Sequence, residues 1–224
     1  MPDGLSEEQL AALREWPSPA ISNAIETFDV QSRNSGFMGP EILCRFPEMP
    51  PIVGYAATGK IRASIPADQD PETVGRPEWY AHIESLPEPR IIVLQDLDQP
   101  PRGSFWGEVN GNIHHALGAI GVITDGGVRD LDEVRELGFQ FLSQELLVSH
   151  AYIHLVEVGG PVTVGGLTVN PGDLLHADQH GALRIPGAIA DQVAAAAQAV
   201  EDRERITISY AKSEGFTSEG LLNL

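Results

Sequence analysis

The segment 106–130 constrains the fold more than any other part of the chain. It begins with a glycine-containing turn that carries Glu108, continues through a helical pattern, and enters an apolar run at 118–124. An apolar run of this length, bounded by turn residues, is typical of a strand buried on both faces. The segment therefore predicts a helix and a strand that bring Glu108, Arg129 and Asp130 to the ends of elements packed side by side. This layout suits chemistry on a small anionic molecule.

Length and composition predict one α/β domain that spans residues 1–224. Apolar residues make up 42% of the 224 residues, and no repeat or low-complexity linker marks a domain boundary. The formal charge of −18 would repel a phosphate backbone, so a nucleic-acid partner is not expected. With 14 Lys and Arg against 32 Asp and Glu, an anionic substrate requires a local concentration of positive charge.

The sequence also limits the compartment and the cofactors. Cys44 is the only cysteine, which rules out an intramolecular disulfide and a thiolate metal cluster within one chain. The first residues lack the pattern of a signal peptide, and no apolar run approaches the roughly 20 residues of a membrane helix. No dinucleotide-binding glycine motif, P-loop or nucleophile elbow is present. We therefore expect a cytoplasmic protein without a membrane partner.

Three helix starts are predicted from capping residues. Ser6 and Gln9 have capping-box spacing. Ser18 is predicted to cap a second helix, with Pro19 at its first position. Pro186 is predicted to begin the long C-terminal helix. Strands are predicted at 52–61, 90–96, 139–143, 151–157, 174–177 and 181–185, with a β-hairpin at 161–169.

The adjacent residues Arg129 and Asp130 have two interpretations. Asp130 and Glu133 have capping-box spacing, so Asp130 could simply cap the helix that follows. This interpretation leaves Arg129 without a role, because a cation just before a helix lies at the positive end of the helix dipole. An anion bound nearby would make that position favourable.

Glu108 also has two interpretations. Its carboxylate could serve a site formed with Arg129, while the amides of Val109 and Asn110 hold an anion at the helix start. Alternatively, Glu108 is an ordinary first-turn acid that stabilises the helix dipole.

Histidines form one further candidate pattern. His176, Asp178 and His180 alternate, and would lie on one face of a strand as metal ligands often do. Gly181 favours a turn that breaks this alternation. The other candidate histidines receive no assignment: His114, His115, His150 and His154.

Several of these motifs together resemble the RraA-like family, which includes the class II 4-hydroxy-4-methyl-2-oxoglutarate aldolases. The similarity rests on Glu108, the twenty-residue gap to Arg129 and Asp130, the turn 125–128 and the segment 169–178. It runs from about residue 18 to about residue 210. The family implies a single-domain swivelling β/β/α fold with a central sheet flanked by helices. It also implies a homotrimer or hexamer with its active site at the subunit interface.

The resemblance assigns a role to each candidate residue. Asp130 would ligate Mg²⁺ or Mn²⁺, and Arg129 would hold a 2-oxo acid and stabilise a pyruvate enolate. Glu108, an Asp in most relatives, would orient metal-bound water. Backbone amides of Val109 and Asn110 would bind the pyruvyl carboxylate.

Two further parts of the site follow from the same resemblance. Gly107 would belong to the substrate-binding turn. A neighbouring subunit would contribute an acid from its C-terminal helix, either Glu201 or Glu204. The polar stretch 110–115 departs from the aldolases and favours a more hydroxylated substrate.

The implied function is a divalent-metal-dependent lyase that cleaves a 2-oxo acid. The reaction would be retro-aldol cleavage of a substrate like 4-hydroxy-4-methyl-2-oxoglutarate, decarboxylation of oxaloacetate, or both. The alternative is a regulator without catalytic activity that binds a protein partner, since the family includes inhibitors of ribonuclease E.

Overall fold

The computed structural model describes residues 4–224 and is built around a nine-stranded sheet. The helices are α1 (Glu7–Arg14), α2 (Ser18–Glu26), α3 (Arg76–Glu84), α4 (Glu108–Ala116), α5 (Leu131–Leu137), α6 (Val193–Ala211) and α7 (Ser218–Leu221), with one 3-10 turn at Ala67–Gln69. The strands are β1 (Leu43–Cys44), β2 (Ile52–Arg62), β3 (Arg90–Asp96), β4 (Ser104–Trp106), β5 (Ala119–Val128), β6 (Gln140–Leu146), β7 (His154–Val158), β8 (Val162–Val164), β9 (Leu167–Val169), β10 (Leu174–Asp178) and β11 (Gly181–Ile185).

The sheet has the order β1-β6-β5-β3-β2-β10-β11, with β4 beside β5 and β7 beside β2. Strands β2, β3, β5 and β6 run parallel, and β6 is buried only over its first four residues. The residues of β2, β3 and β5 are almost entirely buried. Burial on both faces explains why their sequences are continuously apolar rather than alternating. The α/β class and the central sheet flanked by helices are thus confirmed. No helix within 4–224 is long and apolar enough to cross a bilayer.

The predicted capping box at the start of α1 is confirmed, whereas two other helix starts were predicted wrongly. Helix α2 begins at Ser18 itself, with Pro17 as N-cap. The Ser18 hydroxyl lies 2.9 Å from His176 Nδ1, and its amide donates to Asp178 Oδ2, so tertiary partners replace the local cap. Helix α6 begins at Val193 rather than at Pro186. Residues 186–192 form two consecutive turns, in which each hydrogen bond joins residues three apart rather than four.

The alternating histidines do not form a metal site. Both ring nitrogens of the buried His176 are occupied, by the Ser18 hydroxyl and the Trp16 carbonyl. The Asp178 carboxylate accepts from the amides of Ser18 and His180. Burial opposes its charge, but these hydrogen bonds outweigh burial and lower the pKa of Asp178. Throughout the described range 4–224, no three His, Cys, Asp or Glu side chains are arranged to hold a metal ion.

A buried carboxylate lies at the carboxyl end of β3. Asp96 is 2% exposed, and its Oδ1 accepts from the Asp98 amide at 2.9 Å while Oδ2 has no hydrogen-bond partner. Burial raises the pKa of Asp96 to about 7, and it raises the pKa of the neighbouring Asp125 to about 6.

We predict that Asp96→Asn stabilises the protein at neutral pH. The raised folded-state pKa means that Asp96 contributes stability below about pH 4, which is lost as the pH rises through about 7. The gain in unfolding free energy should therefore grow from near zero at pH 4 to about 1–3 kcal/mol at pH 8. Urea unfolding across this range measures it, with the exposed Asp68→Asn as control. A constant difference at all pH values would contradict the prediction.

Helices α3 and α4 are joined through a buried histidine. Trp79 Nε1 donates to His114 Nε2 at 2.8 Å, so the His114 proton lies on Nδ1, which donates to the Asn110 carbonyl at 2.7 Å. His114 is fully buried, and burial lowers its pKa to about 4. Its ring packs against the Trp106 indole with 4.7 Å between centroids.

We predict that His114→Ala costs about 2–4 kcal/mol of unfolding free energy. The variant leaves a cavity among aromatic rings and removes the acceptor of the Trp79 indole N–H. The neighbouring His115 is exposed, so His115→Ala should change stability by less than about 1 kcal/mol. Equal losses in the two variants would contradict this role of His114.

Candidate active site

Pairing of two strands brings the predicted site residues together. Strand β4 pairs in parallel with β5, and the Arg129 amide donates to the Trp106 carbonyl at 3.1 Å. Because α4 and β5 occupy the intervening residues, the chain returns alongside its starting point, as the sequence predicts. Gly107 therefore lies directly beside Arg129 and Asp130.

Asp130 holds the start of α4 instead of capping its own helix. Its backbone is left-handed (φ 54°, ψ 48°), and it makes no side-chain cap to α5. Its Oδ2 accepts from the Glu108 amide at 2.9 Å. The capping-box interpretation with Glu133 was therefore wrong, because the carboxylate turns toward the other helix. A left-handed non-glycine residue is costly and is often found at functional sites.

Gly107 is required by close approach. A Cβ at this position would lie 2.4 Å from Asp130 Oδ2 and 3.2 Å from the Arg129 side chain. The extended backbone of Gly107 itself would accept any residue (φ −172°). Any side chain here would therefore displace the Asp130 carboxylate.

These residues line a cavity of about 280 Å³. Its wall is formed by Arg76, Ser104, Phe105, Gly107, Val109, Asn110, Arg129, Asp130, His150 and Ile153. The amides of Val109 and Asn110 lie in the first turn of α4, where no helical carbonyl is available, and they donate to no acceptor within 4–224. Two arginines and these amides make the wall favourable to anions.

The two guanidinium groups are held differently. Arg129 Nε lies 3.8 Å from Asp130 Oδ2, and its Nη1 donates to the Val148 carbonyl at 3.5 Å. Arg76 Nη1 donates to Asn110 Oδ1 at 3.3 Å. Arg76 was not predicted from the sequence. The available signal was its position as a cation at the start of a helix, which resembles the position of Arg129 just before α5.

The polar stretch 110–115 contributes less to the cavity than the sequence predicts. Only Asn110 lines it, and its side-chain Nδ2 donates to the Phe105 carbonyl at 2.5 Å. His114 points into the core and His115 is exposed. The basis for expecting a more hydroxylated substrate is therefore reduced to one side chain.

The predicted acids lie in three different settings. Glu108 is exposed at the start of α4, and its carboxylate has no hydrogen-bond partner within the described residues. On α6, Glu201 pairs with Arg205 at 2.7 Å, and Glu204 accepts from Asn23 at 3.4 Å. Neither lines the cavity of its own chain, so service to a neighbouring subunit stays a prediction.

Two further histidines lie near the site. His150 lines the cavity. His154 is buried behind it, with Nε2 2.9 Å from Asp70 Oδ2. This contact and the Arg62 guanidinium lower the pKa of Asp70 to about 2. The pair anchors the loop before α3 rather than facing a ligand.

A larger cavity of about 470 Å³ lies elsewhere, beside Leu5, Tyr55 and Arg184. It contains none of the predicted site residues, and Arg184 there is paired with Asp173 at 3.4 Å. Size alone favours this cavity as a ligand site, but the convergent polar groups lie in the smaller one.

A divalent ion fits the smaller cavity in one respect. Asp130 Oδ1 has no hydrogen-bond partner within 4–224. Among the described residues that line the cavity, Asp130 is the only one with a carboxylate. Mg²⁺ often takes one or two carboxylates and retains several waters. A single free carboxylate oxygen on a polar wall is compatible with that preference.

Solved structures of other proteins have a similar fold. An uncharacterised protein from Pseudomonas syringae pv. tomato is similar with a TM-score of 0.75 and 25% identity, over 98% of this chain and 94% of that one. RraAS2 of Streptomyces coelicolor, described as an unusual member of the RNase ES inhibitor RraA protein family, has a TM-score of 0.71 and 20% identity, over 92% and 98% of the two chains.

One curated relative also matches. Protein DlpA of Legionella pneumophila is 24% identical over 107 residues, which are 47% of this chain. The match covers only 17% of the length of DlpA. The RraA-like family model, described as Aldolase/RraA, matches residues 19–184 and includes every cavity-lining residue. The chain with this cavity therefore belongs to the RraA-like family.

Proposed function

We propose that the protein is a divalent-metal-dependent lyase that cleaves a 2-oxo acid through a pyruvate enolate. The observation that carries this proposal is the convergence of Arg129, the free oxygen of Asp130 and two unpaired backbone amides on one cavity. A surface that only bound a protein would not require this combination.

The substrate carboxylate is held at the start of α4. The amides of Val109 and Asn110 donate to it, and the helix dipole favours its charge. Arg129 binds the adjacent 2-oxo group from the other side of Gly107. Because Asp130 already fixes the Glu108 amide, the turn needs little reorganisation on binding.

The chain's own groups then stabilise developing charge. In retro-aldol cleavage the hydroxyl at C4 loses its proton, the C3–C4 bond breaks, and its electron pair moves onto the C2 oxo oxygen. Arg129 stabilises that oxygen as it becomes negative. The enolate takes a proton at C3 and leaves as pyruvate. Asp130 would hold the divalent ion, Mg²⁺ or Mn²⁺, which would supply Lewis acidity to the reaction.

Glu108 and the oxaloacetate reaction complete the proposal. Glu108 is not among the cavity-lining residues, but it lies between Gly107 and Val109, which are, and its exposed carboxylate has no partner within 4–224; in this proposal it orients the water that accepts the hydroxyl proton. Loss of CO₂ from oxaloacetate leaves the same enolate, so decarboxylation needs the same groups except the proton acceptor.

A neighbouring copy of the chain completes the site in this proposal. Exposed apolar side chains flank the cavity: Val109 is 71% exposed, Val148 95% and Tyr152 60%. Burial of such residues favours association. A trimer or hexamer would place an α6 acid, Glu201 or Glu204, at the cavity of the next subunit.

The same apolar surface supports the second candidate, a regulator that binds another protein. RraAS2 is described within a family of ribonuclease inhibitors, which is the observation that favours it. The two candidates differ in whether Asp130 is required for turnover.

We predict metal-dependent pyruvate release that depends on Asp130. The wild type with Mg²⁺ should release pyruvate from oxaloacetate, from 4-hydroxy-4-methyl-2-oxoglutarate, or from both, and EDTA should abolish it. Asp130→Ala should lower turnover by at least about 100-fold, because the metal and the Glu108 amide both lose their partner. Asp132→Ala is the matched control, since that side chain is 91% exposed.

The outcomes separate the candidates. Turnover that persists in EDTA would contradict the metal role, and equal activity of Asp130→Ala and wild type would exclude this site. Absence of turnover and of metal binding in the wild type would favour the regulator.

We predict that Gly107→Ala disables the site without unfolding the protein. The added methyl meets the end of the Asp130 side chain, which can move away, so the unfolding free energy should fall by less than about 1.5 kcal/mol. Displacing that carboxylate should lower turnover about 10- to 100-fold. Gly187→Ala is the control, because nothing lies within 4 Å of its added methyl. Full activity of Gly107→Ala would show that the Asp130 position is not critical.

A further inference from the structure

We propose that Arg76 is a second anion-binding residue of the cavity, which selects 2-oxo acids with a second carboxylate over those with one. This inference rests on the proposed function, in which Arg129 and the α4 amides hold the first carboxylate and its oxo group. It adds a residue that decides which 2-oxo acids bind.

The charge of Arg76 is not neutralised by the protein. Its Nη1 donates to two neutral oxygens, the Tyr80 hydroxyl at 3.1 Å and Asn110 Oδ1 at 3.3 Å. In the described part of the chain, no carboxylate lies within ion-pairing distance of it. The remaining guanidinium N–H groups are therefore available to a ligand.

Five of the 14 Lys and Arg side chains form no ion pair within 4–224, and Arg76 is the one of these five that lines the cavity. Arg62 pairs with two acids, and Arg135 does the same. Arg76 is also the first residue of α3, where the positive end of the helix dipole disfavours a cation. An anion bound in the cavity would remove both penalties.

The start of α3, which carries Arg76, is held at a fixed position relative to the first anion site. Trp79 on α3 is buried and donates to His114 on α4, while His114 donates to the Asn110 carbonyl. The helix that carries Arg76 is thus joined to the turn that carries the anion-binding amides. Two cationic groups at a fixed separation can discriminate between acids by charge number.

The geometry favours cleavage that retains the second carboxylate. In retro-aldol cleavage this group stays on the departing 2-oxo acid and can remain bound to Arg76. In decarboxylation it leaves as neutral CO₂, so Arg76 binds the reactant more strongly than the transition state. Loss of Arg76 should therefore lower kcat/KM for aldol cleavage more than for oxaloacetate decarboxylation.

The test uses two five-carbon acids that lack the 4-hydroxyl needed for cleavage, 2-oxoglutarate and 2-oxopentanoate. Calorimetric titration with Mg²⁺ measures their Kd for wild type, Arg76→Gln, Arg76→Lys and Arg33→Gln. The wild type should prefer 2-oxoglutarate by about 10- to 100-fold, the range of a charge-assisted pair. Arg76→Gln should lose this preference and bind 2-oxopentanoate within about 3-fold of wild type. Arg76→Lys should retain part of it.

The controls distinguish failure of the Arg76 inference from failure of the proposed function. Arg33 is 77% exposed and does not line the cavity, so Arg33→Gln should keep the full preference. If Arg76→Gln weakens the binding of both acids equally, Arg76 only positions Asn110. The inference is then wrong, while the proposed function stands. A wild type that binds both acids equally would also overturn it. If the wild type binds neither acid, the proposed function fails with it.

Discussion

The hydrogen bond from the Glu108 amide to the Asp130 carboxylate is the contact on which the site depends. It joins the first turn of one helix to the residue that precedes another, 22 positions later in the chain. It occupies one oxygen of a carboxylate that lines the cavity, and the other oxygen has no hydrogen-bond partner within 4–224. It also fixes the first residue of the helix turn that carries the two remaining amides.

This contact is possible because the backbone, rather than side chains, brings the two segments together. Strand β4 lies beside β5, and the glycine after β4 lets the Arg129 and Asp130 side chains approach within van der Waals distance of the main chain. The aromatic core that includes Trp79 and Trp106 packs under the cavity and supports helices α3 and α4. The polar cavity is therefore a surface feature built on a rigid apolar layer, an arrangement that limits reorganisation on binding.

Helices and strands with a strong apolar pattern could be predicted from the sequence, because burial of their faces requires apolar residues at fixed positions. Strand β3, for example, has the predicted bounds. The α6 start was missed because proline tolerates both a helix start and an irregular turn. Ser18 and Asp130 were misassigned for one shared reason: each bonds a partner distant in sequence instead of its own helix.

The same limit applies to the candidate site. Spacing placed Arg129, Asp130 and the Val109 amide at one end of the sheet, because helix and strand lengths fix where the chain returns. Arg76 comes from an element whose position depends on a tertiary contact between Trp79 and His114, and no local pattern encodes that contact. The 95% exposure of Val148 is likewise not indicated by any local pattern.

The left-handed backbone at Asp130 limits which residues can replace it. Gly adopts this conformation most readily and Asn also tolerates it, and neither carries a charge. Replacement by either would preserve the turn while removing the carboxylate. In the proposed lyase, a single such substitution would therefore remove the metal-binding carboxylate while keeping the backbone conformation that the turn requires.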